Sequence, residues 1–236
     1  MLKTMTWTCA LAAVVGCSKK DDNPKPAGTP APAAMPTSKD TPPPTPSGPW
    51  QLDAAAVQAK LQGAWSLHNV AFAGSVEAWD VQGNKVRMWD AKQSKESSGT
   101  LSVTSPCQLE IKTGSDASGS ETTYITYVFE GDTLHLGLGQ AGVKQGDTIV
   151  ACLSDGTYVM KGADCKQYKS EFGHMETKDG AKCALEGDTF KVTAPGDSFV
   201  HELKLQNGIL LDDQLRNPFS PPKKVASYDE AKAQAK

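Results

Sequence analysis

Six cysteines and four histidines are the residues of this chain whose chemistry could go beyond packing and hydration. Thiolates and imidazoles are the usual zinc ligands, but structural zinc sites draw on paired spacings. No Cys-x-x-Cys occurs, and no histidine stands at finger-like spacing from Cys107, Cys152, Cys165 or Cys183. A metal centre is therefore not expected. The four histidines are His68, His135, His174 and His201. His135 falls on the polar side of a hairpin and reads as a solvated histidine. His201 and Glu202 are neighbours in a strand and point to opposite faces. His174, with Met175 and Glu176 beyond it, is the one histidine worth testing for metal. Serine is frequent, but no Gly-x-Ser-x-Gly elbow is present. Nor is there a phosphate loop, a dinucleotide fingerprint or a His-Glu-x-x-His helix. Carboxylates are spread along turns, so no acid–base pair stands out. The expectation is a chain with no catalytic residue, no cofactor and no enzymatic activity.

Val14-Val15-Gly16-Cys17 closes an apolar run that starts after Lys3. Met5 to Val15 has the length of a signal-peptide core, too short for the roughly 20 apolar residues of a spanning helix. Two aliphatic residues, a small one and a cysteine resemble a bacterial lipobox. The resemblance implies that residues 1–16 are removed and that Cys17 carries lipid. Several acyl chains anchor stably where one is marginal. Ser18 is not the aspartate that retains enterobacterial lipoproteins in the inner membrane, which favours the outer membrane. An envelope address also implies an oxidising compartment.

In that compartment Cys9 leaves with the signal and Cys17 is lipidated. Cys107, Cys152, Cys165 and Cys183 then remain, an even number that reads as two disulfides. The sequence allows three connectivities, of which we favour Cys107–Cys152 and Cys165–Cys183. Loss of Lys3 takes the formal charge from −3 to −4, with no basic footprint for nucleic acid. Lys19 and Lys20 are offset at once by Asp21 and Asp22, which makes a poor anionic-lipid patch.

Residues 17–49 are rich in proline, alanine and threonine and hold almost nothing that could enter a core. As a spacer they would reach about 100 Å in polyproline II or about 30 Å as a flexible coil. Residues 50–222 are long enough for one domain, and 223–236 form a tail. Asp53 caps a short helix through Gln62 whose Ala54, Val57 and Leu61 share one face, and Gly63 ends it. The chain then turns to period two. A Gly131-Asp132 turn pairs Phe129 with Leu134, Tyr127 with Leu136, Ile125 with Leu138 and Val128 with His135. Gly83-Asn84 pairs Trp79 with Met88, Val81 with Val86 and Asp80 with Arg87. Gly187-Asp188 pairs Leu185 with Phe190 and Cys183 with Val192. Asp155-Gly156 pairs Leu153 with Tyr158, and Asn207-Gly208 pairs Leu205 with Leu210. A Gly-Asp-hydroxyl-apolar motif recurs at Gly131, Gly146, Gly187 and Gly196, which reads as strand-initiating turns. Pro106 cannot donate to a ladder, so its strand bends, bulges or breaks there. Ser227 and Glu230 form a capping box for a C-terminal helix. The fold class is all-β. Nine to eleven antiparallel strands form an up-and-down meander that closes into a barrel, with a β-sandwich as the alternative.

The chain resembles the lipocalin-like, or calycin, barrels. Gly63-Ala64-Trp65 matches Gly-x-Trp at the start of the first strand. Thr122-Thr123-Tyr124-Ile125-Thr126-Tyr127 resembles Thr-Asp-Tyr-x-x-Tyr but lacks the aspartate. It is also similar to uncharacterised bacterial lipoproteins through Leu61-Gln62-Gly63-Ala64-Trp65 and Gly131-Asp132-Thr133-Leu134. The resemblance implies that Trp65 plugs the barrel floor, with Arg216 as the arginine over it. It further implies a lipid-anchored envelope protein that binds a small apolar molecule in the barrel. The alternative is a filled barrel that docks another envelope protein.

Overall fold

Alternating polarity dominates the described part of the chain, and the computed structural model is correspondingly built of strands. It describes residues 48–67, 76–114, 119–171, 174–216 and 222–234. Cys17, residues 1–16, nearly all of the 17–49 spacer and His68 lie outside these. In chain order the elements are α1 (Ala54–Leu61), β1 (Gly63–Ser66), β2 (Val76–Gln82), β3 (Lys85–Asp90), β4 (Lys95–Ser105), β5 (Gln108–Thr113), β6 (Glu121–Glu130) and β7 (Thr133–Gly137). These are followed by β8 (Ala141–Gln145), β9 (Thr148–Leu153), β10 (Gly156–Lys161), β11 (Asp164–Glu171), β12 (His174–Lys178), β13 (Lys182–Glu186), β14 (Thr189–Thr193), β15 (Val200–Gln206) and β16 (Ile209–Leu211). The chain ends with α2 (Asp213–Arg216), β17 (Lys223–Val225) and α3 (Tyr228–Gln234).

The all-β antiparallel meander is present, with 17 strands among the described residues rather than nine to eleven. They form two sheets, ordered β17-β1-β2-β3-β4-β5-β6-β7 and β12-β11-β10-β9-β8-β16-β15-β14-β13. One is a nearly closed, barrel-like sheet and the other a half-barrel. The extra strands include short hairpins such as β8–β9, whose Gly146-Asp147 turn carries the recurring Gly-Asp motif, and β11–β12.

What buries these faces explains the curvature. One face of the first sheet contributes Trp65, Trp79, Met88, Leu101, Ile111, Ile125, Tyr127 and Leu136 to a single core. Outside the sheet, among the described residues, only Leu67 and the α1 region, through Leu52, Ala54, Val57 and Leu61, join them. One short helix cannot cover seven strands spaced about 4.8 Å apart, so the sheet folds over itself. The second sheet does the same around Ile149, Ala151, Tyr158, Phe190, Val192 and Leu203. A third cluster joins Cys107 and Val128 of the first sheet to Ala141, Val150, Cys152, Ile209 and Leu211 of the second. There the two sheets pack against each other.

Most hairpin registers follow from their turns. Phe129 faces Leu134, Tyr127 faces Leu136, and Val128 faces His135. Trp79 faces Met88 and Asp80 faces Arg87. Cys183 faces Val192, and Leu205 faces Leu210. Gly131 has φ 61°, the left-handed backbone that the first turn position requires. Two registers differ from expectation. Leu138 lies beyond β7, is 46% exposed and does not pair with Ile125. The β9–β10 turn is Ser154-Asp155, so Leu153 pairs with Gly156 and Tyr158 with Ala151. Asp155 is held there because its carboxylate accepts from the Tyr158 hydroxyl and the Gln167 amide. Gly156 is needed because a Cβ would lie 2.8 Å from the Tyr168 carbonyl of β11. The slip is two residues, so every side chain keeps its face.

The caps behave as the sequence indicates. Asp53 Oδ1 accepts from the Ala56 amide at 2.9 Å, and Ser227 Oγ accepts from the Glu230 amide at 3.1 Å. The α3 helix is short, and it docks: Tyr228 and Ala231 are buried against Ala64 and Ala78.

The disulfides are Cys107–Cys152 and Cys165–Cys183. Cys107 lies in the β4–β5 turn and Cys152 in β9, so the first bridge joins the two sheets. The second joins β11 to the edge strand β13 and so draws the ends of the second sheet together. Loops of 45 and 18 residues predict losses of about 4 and about 3 kcal/mol when each bridge is removed. Urea unfolding of Cys107→Ala/Cys152→Ala and of Cys165→Ala/Cys183→Ala should show that order.

Candidate functional site

Trp65 is the natural place to begin, because it joins helix, core and surface. Gly63 ends α1 with φ 98°, and β1 starts at once, which swings Trp65 back under the helix. Its indole N–H donates to the Leu61 carbonyl at 2.8 Å, satisfying one of the helix's last carbonyls. The ring is 4% exposed and belongs to the first-sheet core. The cation over it is Lys224 of β17, with Nζ 5.6 Å from the ring. Arg216 ends α2, an element that packs on β7 and β16. The signal for Lys224 was weak in sequence, because nothing local marks β17 as the partner of β1.

The face of the first sheet that could have held a ligand is filled by side chains. Trp79, Leu101, Leu109, Ile125, Tyr127 and Leu134 are each at most 1% exposed. Concavity appears instead where the two ends of this sheet approach each other. There Trp65 and Lys224 from β1 and β17 stand across from Phe129, Asp132 and Thr133 of the β6–β7 hairpin. Together with Lys60 and Pro222 they line an open cleft of about 470 Å³. The α1 helix positions Lys60, whose Nζ donates to the Gly131 carbonyl at 3.2 Å and lies 5.1 Å from the Phe129 ring. A second cleft, between the sheets, is lined by Trp50, Gln108, Tyr124, Asp155, Tyr168 and Met175 among others, but holds only about 130 Å³. Ligand pockets usually run from roughly 300 to 1,000 Å³, so the seam is the candidate site and the inter-sheet cleft is not.

His135 corrects a sequence expectation. It is buried, not solvated, because the reverse face of the β6–β7 hairpin packs on the second sheet and α2. Its Nδ1 lies 3.2 Å from the Leu215 carbonyl, and its Nε2 3.4 Å from Glu130 Oε2. Glu130 also accepts from the Asn207 amide at 2.8 Å, a link from the first sheet to the β15–β16 turn. His201 is partly buried, with Nδ1 against Gln140 Nε2, while Glu202 lies 3.8 Å from Lys191. Among the described residues no three of histidine, cysteine, aspartate and glutamate come together. No described helix is long and apolar enough to cross a membrane.

Comparison with known proteins found no match among family models, curated proteins or solved structures.

The Asn207 amide, and after it His135, hold the Glu130 carboxyl below its ordinary value. A folded value below the unfolded one gives stability that is full above the ordinary carboxylate range and lost as pH falls through the folded value. Asn207→Gly keeps the left-handed turn backbone and deletes the amide. In an NMR titration Glu130 should then move up toward the ordinary carboxylate value, and the stability gap between neutral and acid pH should narrow. An unmoved Glu130 would contradict this account.

Proposed function

We propose that this is a lipid-anchored envelope protein that binds a small, largely apolar molecule without chemistry, at the seam of its first sheet. The observation that carries the reading is the 470 Å³ seam cleft, walled by Trp65, Phe129 and Pro222, beside a sheet face packed solid with side chains. Anchoring rests on Val14-Val15-Gly16-Cys17, with Cys17 as the lipidated residue and the outer membrane as the address. Two disulfides accord with an oxidising compartment. A barrel of lipocalin-like descent, with Trp65 at its closed end, remains part of the proposal.

A second reading, a filled barrel that docks another envelope protein, draws on the packed cores and on Phe199, which is 62% exposed. The two readings separate on one measurement. The full chain carrying Cys17→Ser, which stays lipid-free, is dialysed against 2-naphthylmethanol, and Thr133→Trp is added to fill the cleft from its rim. Binding that Thr133→Trp abolishes, with the far-ultraviolet spectrum unchanged, supports the seam site. Absence of binding by this probe and by its carboxylate counterpart, 2-naphthoate, removes the seam site and leaves the docking reading.

A further inference from the structure

The charges around the seam cleft specify more than its apolar walls do. Two ammonium groups face it, Lys60 from α1 and Lys224 from β17, against one lining carboxylate, Asp132. Among the described residues neither lysine has a carboxylate within ion-pair distance, in contrast with Lys112, Lys191 and Lys232 elsewhere on the surface. Each is held instead against an aromatic face: Lys60 Nζ at 5.1 Å from the Phe129 ring and Lys224 Nζ at 5.6 Å from the Trp65 ring. A ring quadrupole attracts a cation but leaves its charge unneutralised. The two side chains are long and exposed, yet they converge on one cleft, Lys60 from α1 and Lys224 from the edge strand β17.

That placement has a consequence for what can bind. A neutral apolar molecule would cover Trp65 and Phe129 and partly strip water from two ammonium groups while giving nothing back. A cation would add repulsion. An anion would neutralise the excess charge through charge-assisted hydrogen bonds, which are about twice as strong as neutral ones. We infer that the seam cleft selects a carboxylate with an apolar body: the carboxylate is received by Lys60 and Lys224, and the body rests on Trp65, Phe129 and Pro222. This inference rests on the seam-cleft reading above and adds the charge of the ligand to it.

Asp132 sharpens the requirement. It sits in the β6–β7 turn, exposed, at the rim of the cleft. A single carboxylate on the rim disfavours anions that cannot reach past it to the lysines, so the ligand's charge belongs at one end of the molecule.

Calorimetry on the full chain carrying Cys17→Ser tests this with three probes that share one ring system: 2-naphthoate, 2-naphthylmethanol and 2-naphthylmethylamine. The expected order places naphthoate about tenfold tighter than the alcohol, with the amine weakest. Lys60→Gln and Lys224→Gln should each weaken naphthoate about tenfold and leave the alcohol unchanged. Lys144→Gln, on β8 of the other sheet, should change neither. Equal binding of naphthoate and the alcohol, or loss of both probes in the lysine variants alike, overturns the charge selection and leaves the apolar cleft standing. Binding of none of the three overturns the cleft reading itself.

Discussion

Apolar sheet faces have to be covered, and the described residues include almost no helix with which to cover them. Among the described residues the helices are α1, one turn at α2 and the docked α3. Burial of apolar surface is worth about 25 cal/mol per Å², so leaving strand faces open to water would forfeit most of the driving force for folding. Each sheet therefore curls until its own side chains cover one another, and the two sheets then share the remaining apolar face. The three clusters around Trp79, around Cys152 and around Phe190 are the product.

This constraint decides where a ligand can go. A sheet that buries its face against itself has no room left inside, and Trp79, Tyr127 and Leu134 occupy the space that an open calyx would leave empty. The larger of the two clefts described above lies where closure is incomplete, between the β1–β17 edge and the β6–β7 hairpin. Trp65 closes the core from below and its ring edge forms part of the seam, so the same residue serves packing and the candidate site. The helix that plugs this end brings Lys60 with it, which ties the electrostatics of the cleft to the Asp53 cap and the Leu61 anchor of α1.

The joint between the sheets is the most tightly built region. Cys107 and Cys152 cross it, the Ser105 hydroxyl lies 3.0 Å from Cys152 Sγ, and the Tyr127 hydroxyl donates to the Ser105 carbonyl at 3.2 Å. Burial raises the Tyr127 phenol well above its ordinary value, so it stays a donor at any working pH. At the other end of the second sheet the Cys165–Cys183 bridge compensates for strand pairing that stops at β12 and β13. One bridge thus links the two sheets to each other, and the other links β11 to the far edge strand β13.

Local chemistry was legible in the residues themselves. Two-residue turns with glycine or asparagine at positive φ dictated the registers at Gly83, Gly131, Gly187 and Gly208, because turn geometry and period-two alternation are set by neighbours in the chain. Asp53 and Ser227 marked their helices for the same reason. Asp155 escaped that logic, since its turn is settled by Tyr158 and Gln167, the latter twelve residues away. His135 escaped it too: alternation assigns a residue to a face, but only the second sheet determines whether that face meets water. The sequence by itself determined an all-β antiparallel chain, its main turns and its apolar faces. Division into two curled sheets, the pairing of β17 with β1, and the convergence of Lys60 and Lys224 on Trp65 and Phe129 were decided by tertiary packing. Those contacts join residues as far apart as Trp65 and Lys224, and no local pattern encodes which distant edge will close against which.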